Sequence, residues 1–285
     1  MADYRKAFRA EPGGKINLGK HDPSFTGKHD SEESAKKELA AYGDELFKQQ
    51  GLLYAEHKRS VLVVLQGLDA AGKDGTIKHC FTVLNPQGVS VVGFKQPTAE
   101  ELAHDFLWRI HPHAPGKGYI SIFNRSHYED VLVTRVHKLI DKATWTERYK
   151  RIRDFEALLA ENGTTVLKFF LHISPEEQLA RFAQRLDDPK RNWKISESDY
   201  SERALWDKYI EAFEDAIAAT SVEDAPWYVI PSDHKWFRNL AVSQIMANTM
   251  EDLKLAYPKP TVDLDDIRRK YHAAEAEEKP GKKKG

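Results

Sequence analysis

The stretch VLVVLQGLDAAGKDGT (residues 61–76) constrains the fold more than any other part of the chain. It opens on a continuous apolar run of the kind found where a strand is covered on both faces. It then turns through Gly67, Gly72, Lys73, Asp74, Gly75 and Thr76 into IKHCFTVL, which can begin a helix. Strand, glycine-rich turn and helix at the spacing G-x-x-x-x-G-K match a phosphate-binding loop. In such a loop backbone N–H groups and a helix N-terminus surround phosphate oxygens, and the lysine sets a cation against them. Ala70 and Ala71 lie inside this cradle. One position departs from the usual pattern. Asp74 follows Lys73, where a Ser or Thr hydroxyl normally meets Mg²⁺, so another ligand is needed. Asp69, inside the loop, is the obvious replacement, because a carboxylate is a hard oxygen ligand.

Similar apolar runs recur at residues 89–94, 119–124, 165–173 and 227–231. Between them lie helical patterns with recognisable starts: Asp30 with Glu33, Thr98 with Glu101, Thr144 with Glu147, and Ser174 followed by Pro175 and Glu177. Gly163 stands where a helix would stop. This alternation predicts an α/β fold of three layers, a five-stranded parallel sheet with helices on both faces. Residues 1–30 lack a sustained period and read as an irregular arm. Residues 31–257 form the folded domain, and 258–285 a polar, flexible tail. The formal net charge of -1 points to neither nucleic acid nor membrane, so any anion site must be built by local clustering. Cys80 is the only cysteine, which excludes a disulfide framework and reads as a buried inert thiol. The start of the chain has no apolar core of signal-peptide length, and no apolar run is long enough to span a bilayer, so the sequence reads as cytoplasmic.

YISIFNRSHYED (119–130) is a second apolar run ending in a polar cluster. In open α/β sheets such strand ends lie at the ligand crevice. Asn124, Arg125, Ser126, Glu129 and Asp130 can therefore face the same ligand as the loop. Further cations follow the first three strands, among them Lys78, Lys95, Arg109, Arg135 and Lys138. A second basic cluster, Arg181, Arg185, Lys190, Arg191 and Lys194, starts on a helix and runs into DDPKRNWKIS. Arg181 and Arg185 share a helix face and are expected to point together at a phosphate. The segment 181–200 suits a helical lid that excludes water from phosphoryl transfer. Trp193 suits either stacking on a base or anchoring that lid, and Trp206, Tyr209 and Phe213 read as core.

GLDAAGKDGTIKH and FNRSHYEDVLVTRVH together resemble the two signature motifs of the polyphosphate kinase 2 family. FKQPTAEELAHDFLWRIH, RFAQRLDDPKRNWKIS, RALWDKYIEAF and APWYVIPSDHKWFRN extend the likeness from about Asp22 to about Tyr257. The resemblance implies a P-loop kinase fold with a mobile lid, and Mg²⁺-dependent transfer of the terminal phosphoryl group of inorganic polyphosphate to a nucleotide. It implies that Asp69 and Asp130 hold the metal, with Mn²⁺ as an alternative ion, and that Lys73 and Arg125 contact the transferring phosphates. The Glu129–Asp130 pair and the FNRS start resemble the subgroup accepting both AMP and ADP. A homo-oligomer, dimer or tetramer, is also implied. Spacing alone leaves an ATP-dependent nucleotide kinase or a non-catalytic P-loop nucleotide-binding protein open.

Overall fold

The computed structural model describes residues 3–278. Five strands, β1 (Ser60–Gln66), β2 (Val89–Gly93), β3 (Ile120–Asn124), β4 (Thr164–His172) and β5 (Trp227–Pro231), form one parallel sheet in the order β2-β3-β1-β4-β5. The helices are α1 (Tyr4–Phe8), α2 (Glu32–Glu56), α3 (Lys73–Cys80), α4 (Ala99–Leu102), α5 (Val133–Val136), α6 (Lys142–Glu161), α7 (Pro175–Asp187), α8 (Glu197–Arg203), α9 (Trp206–Thr220), α10 (Lys235–Asp252) and α11 (Leu264–Glu278).

The apolar runs are continuous because the central strands bury both faces. Val61, Val63 and Leu65 of β1 pack with α2, α3 and α10, whereas Leu62 and Val64 pack with α6 and α9. Each such side chain contributes about 1.5–3 kcal/mol on full burial. β1 lies between β3 and β4, so the loop after β1 and the polar cluster after β3 emerge side by side. That juxtaposition positions the site.

Two helix starts differ from the sequence expectation. Ser31, not Asp30, caps α2 in a reciprocal box with Ser34. Asp141, not Thr144, caps α6, accepting the Thr144 N–H at 2.7 Å. In both cases a neighbouring side chain offered the same acceptor chemistry a few residues away. Thr98–Glu101 and Ser174 cap as expected, and Gly163 follows α6 at φ 87°.

The arm carries more structure than its irregular sequence suggests. Tyr4 and Phe8 on α1 are buried, and with Phe25 they surround Phe237 of α10. The Ala10 N–H donates to the Trp227 carbonyl at 2.8 Å, tying the arm to β5. In the tail, residues 264–278 are helical, and none of their side chains is buried. The terminal lysines Lys282–Lys284 lie outside the described residues.

Candidate active site

The phosphate loop bridges β1 and α3, and its backbone explains the glycines. Gly72 caps α3 at φ 110°, and a Cβ there would overlap the Arg238 guanidinium. Gly72→Ala is therefore expected to abolish phosphoryl transfer and lower the melting temperature. Wild-type melting and turnover in that variant would show that Arg238 can move aside. Lys73 folds back over the loop, donating from Nζ to the carbonyls of Gly67 (2.6 Å) and Leu68 (3.3 Å). Burial, with the nearby Arg125 charge, pulls its ammonium down to about 8.

Arg125 leaves β3 with φ 64° and its N–H bonded to the Leu65 carbonyl. Its guanidinium then spans Asp69 (3.0 Å) and Glu129 (3.2 Å). Glu129, first among the causes, raises the Arg125 proton affinity further. Asn124 donates from Nδ2 to Asp74 Oδ1 at 2.7 Å, so the carboxylate that replaces the loop hydroxyl is held by the end of β3.

Two cavities meet at Asp69 and Arg125. The larger, about 530 Å³, is basic: Lys73, Lys95, Arg125, Arg181, Arg185, Arg191, Lys194, Lys235 and Arg238 line it, and its acids are Asp69 and Asp74. The smaller, about 230 Å³, is walled by Trp206, Tyr209 and Phe213, with Glu129, Glu202 and Gln178 as polar groups. Asp69 and Arg125 are the residues common to both. A third cavity, about 680 Å³, lies beside the N-terminal arm, far from the loop. Its arginines are already neutralised, Arg5 by Asp3, Arg9 by Glu223 and Arg59 by Glu56, so it offers no comparable field for a polyanion.

Several expected site residues are engaged by the protein itself. Asp130 is buried between Arg109 (3.5 Å) and Arg148 (3.6 Å) and lines neither cavity. Burial raises its carboxyl despite those arginines. Arg109 is paired with it, yet Asp130 Oδ2 is buried without a hydrogen-bond partner, and a metal role for Asp130 stays a proposal. Arg181 lines the basic cavity but has its donors engaged by the protein. Its five N–H groups go to Glu177 (2.8 Å) and to the carbonyls of Ala70, Ala71, Ser232 and Asp233 (2.6–3.0 Å). It braces the loop against the end of β5 instead, since a fully coordinated guanidinium has no donor left.

Thr76 turns its hydroxyl back to the Gly72 carbonyl. Lys190 lies outside the basic cavity, whereas Arg191 and Lys194 line it. Arg185 lines it too while donating to the Lys194 carbonyl at 3.0 Å and pairing with Asp199 at 3.3 Å, which fixes the segment after α7. Arg135 is occupied by Glu211 and Asp215. Trp193 is 78% exposed, and its contacts, an indole N–H donated to the Lys190 carbonyl at 3.1 Å and the Lys194 ammonium over its ring, stay within its own segment. Trp206, Tyr209 and Phe213 are packed into the core as expected, yet each also presents an edge to the small cavity. Lys235 and Arg238 were missed, although the rule that locates Arg125 at a strand end applies equally to the first turn of α10 after β5.

Among the described residues no three His, Cys, Asp or Glu side chains cluster as a metal cage. Mg²⁺ does not require one, being held by one or two carboxylates with substrate phosphates and water. Asp69 fits that role: Arg125 claims Oδ1, while Oδ2 has no partner among the described residues.

Residues 29–258 match the family model described as Polyphosphate kinase 2. The AMP/ADP-polyphosphate phosphotransferase of Meiothermus ruber is 51% identical over 92% of this chain and 98% of that protein. The ADP-polyphosphate phosphotransferase of Rhodopseudomonas palustris is 45% identical over 90% and 93%. The crystal structure of polyphosphate kinase 2 from Arthrobacter aurescens superposes with a TM-score of 0.91 at 40% identity, covering 97% of both chains. A P-loop kinase sheet, a loop that departs from the common form only at Asp74, and a match over most of the chain converge: the chain belongs to the polyphosphate kinase 2 family.

Proposed function

We propose that this enzyme moves the terminal phosphoryl group of inorganic polyphosphate directly to AMP and ADP, with polyphosphate in the basic cavity and the nucleotide in the aromatic one. The observation that carries this reading is the meeting of two unlike cavities at Asp69 and Arg125. A polyanion is drawn to the concentrated positive field. A nucleoside suits stacking walls with acceptors such as Glu202 for its exocyclic amine and hydroxyls. The reacting phosphorus then lies where the cavities touch.

The transition state spreads negative charge over equatorial oxygens, so positioning and countercharge do most of the work. Lys73, Arg125 and the loop amides supply that charge without solvent reorganisation. The acceptor phosphate, with a second pKa near ~6, is already mostly ionised at neutral pH, so a general base gains little. The family's enzymes are metal-dependent, and Mg²⁺, with Mn²⁺ as an alternative, is our assignment for the ion. Asp69 would hold it, with Glu129 in reach from the acceptor side. The ion would neutralise and align phosphate oxygens. The residues 181–200 form the lid of our reading, closing Arg185, Arg191 and Lys194 over the donor. A homo-oligomer, supported by exposed Phe47 and by Val91 on the edge strand β2, and a cytoplasmic setting, supported by the free thiol of Cys80, complete it. No helix among the described residues is long and apolar enough to cross a membrane.

The test is formation of ADP and ATP from AMP with long-chain polyphosphate or ATP as sole donor. Both products from polyphosphate are expected. Transfer from ATP alone overturns the donor, and ATP formed only from supplied ADP removes AMP as an acceptor. Lys73 adds a pH dependence. Its charged form binds phosphate, so donor affinity is full below about pH 8 and declines above it. The KM for polyphosphate should rise there while the KM for AMP changes little, and a flat donor KM would remove Lys73 from the donor site.

A further inference from the structure

The first turn of α10 sends Arg238 beneath the phosphate loop, where its residue exposure is 2%. Nε and Nη2 donate to Asn239 Oδ1 at 3.2 and 2.8 Å, and Nη1 leans on the Ala71 carbonyl at 3.4 Å. Both acceptors are neutral. Among the described residues no carboxylate comes within ion-pair distance of this guanidinium, and one N–H on each Nη has no acceptor. Its charged neighbour Arg181 has the same sign.

Other buried cations in this protein are treated differently. Lys168 pairs with Glu156 at 2.5 Å, and Arg181 meets Glu177 as well as four carbonyls. An isolated buried charge is costly unless something compensates it. Arg238 lines the basic cavity, and it does so past Gly72 and Gly75. A Cβ on Gly75 would come within 3.0 Å of Nη2, and one on Gly72 would overlap Nη1. The two glycines thus leave a gap through which the guanidinium faces the cavity.

We propose that Arg238 is a phosphate-binding residue of the donor site, supplying through that gap the countercharge and free N–H donors for one phosphate of the polyphosphate chain. This rests on the reading of the basic cavity as the donor site. Burial pulls the Arg238 proton affinity down to about 10, so the side chain stays charged at neutral pH. Its desolvation is complete before the donor arrives, which makes its field strong and already oriented. Binding a phosphate relieves an uncompensated charge, so donor binding is coupled to the stability of the loop and α10.

The experiment is thermal melting of the full chain with and without polyphosphate, together with KM for both substrates, in wild type, Arg238→Met and Arg238→Lys. Polyphosphate should raise the wild-type melting temperature. Arg238→Met should melt at or above wild type without ligand, gain little from polyphosphate, and show a donor KM raised about tenfold or more with the AMP KM little changed. Arg238→Lys, which keeps the charge and loses the fork, should fall between them. Where Arg238→Met does not fold, Arg238→Lys decides: a raised donor KM alone supports the proposal, and both constants unchanged or both raised overturn it. Arg238→Met melting well below wild type with both KM values raised would make the residue a structural strut. Equal stabilisation of Arg238→Met and wild type by polyphosphate would overturn the phosphate contact while leaving the donor cavity in place. No stabilisation of wild type at all would overturn the donor-cavity reading itself.

Discussion

Lys73→Ala lowers kcat by on the order of 10²–10³ while leaving the melting temperature within a few degrees of wild type; this is the expected result of removing one preorganised cation from the transition state. The asymmetry follows from how Lys73 is held. Its Nζ donates to two backbone carbonyls, of Gly67 and Leu68, and forms no ion pair with a carboxylate among the described residues. Burial already opposes its charge, so its loss removes a cost along with two hydrogen bonds. Asp69→Asn should behave similarly, since an amide oxygen still accepts from Arg125 but is a poor metal ligand. Steady-state kinetics beside thermal melts check both, and turnover within about tenfold of wild type would remove the residue concerned from the machinery.

A second large effect is expected on stability. Lys168 points from the middle of β4 into the core and spends its ammonium on Glu156 (2.5 Å), the Tyr128 hydroxyl (3.0 Å) and the Thr220 carbonyl (2.8 Å). Glu156 also accepts from Tyr128 and faces His127 at 3.2 Å, and Lys168 and Glu156 are fully buried. Lys168→Met leaves Glu156 charged and unpaired in the interior, at a cost of about 3–5 kcal/mol. Lys168→Met with Glu156→Leu should recover much of that, because the burden is the orphaned charge and not the missing pair. Urea unfolding of the two single variants and the double gives the coupling. A Lys168→Met protein as stable as wild type would show that the network carries no net energy. Burial alone would raise the Glu156 carboxyl, but Lys168 and His127 hold it below its ordinary value. Its contribution is therefore present above the ordinary carboxylate range and lost as pH falls through the lowered value. The network sits under the turn carrying Arg125 and Glu129, so its loss should also reduce turnover.

Asp130 shows why such a site is only partly legible in advance. Glu129 and Asp130 are adjacent in sequence and both read as facing the ligand, yet from the 3₁₀ turn at His127–Asp130 Glu129 lines the small cavity and Asp130 meets Arg109. Glu129 meets Arg125 four residues away, a pairing that spacing can anticipate. Asp130 meets Arg109, a partner from another element, which spacing cannot. The same holds for Arg181. Its helical position relative to Arg185 was read correctly, but its acceptors on the loop and beyond β5 are brought to it only by the closed sheet.

The sequence by itself determined what depends on neighbours along the chain. The double-sided burial of β1, the glycines and lysine of the loop, the cap at Ser174 and the stop at Gly163 all follow from local sterics and hydrogen bonding over a few residues. Tertiary structure alone decided which cations line the basic cavity and which are engaged by the protein's own acceptors. A guanidinium's role is set by the acceptors around it, and beside the near neighbours Asn239, Glu177 and Glu129 each arginine meets one far away in the chain: Ala71 for Arg238, Asp233 for Arg181, Asp69 for Arg125. Packing the strands in the order β2-β3-β1-β4-β5 brings these groups together.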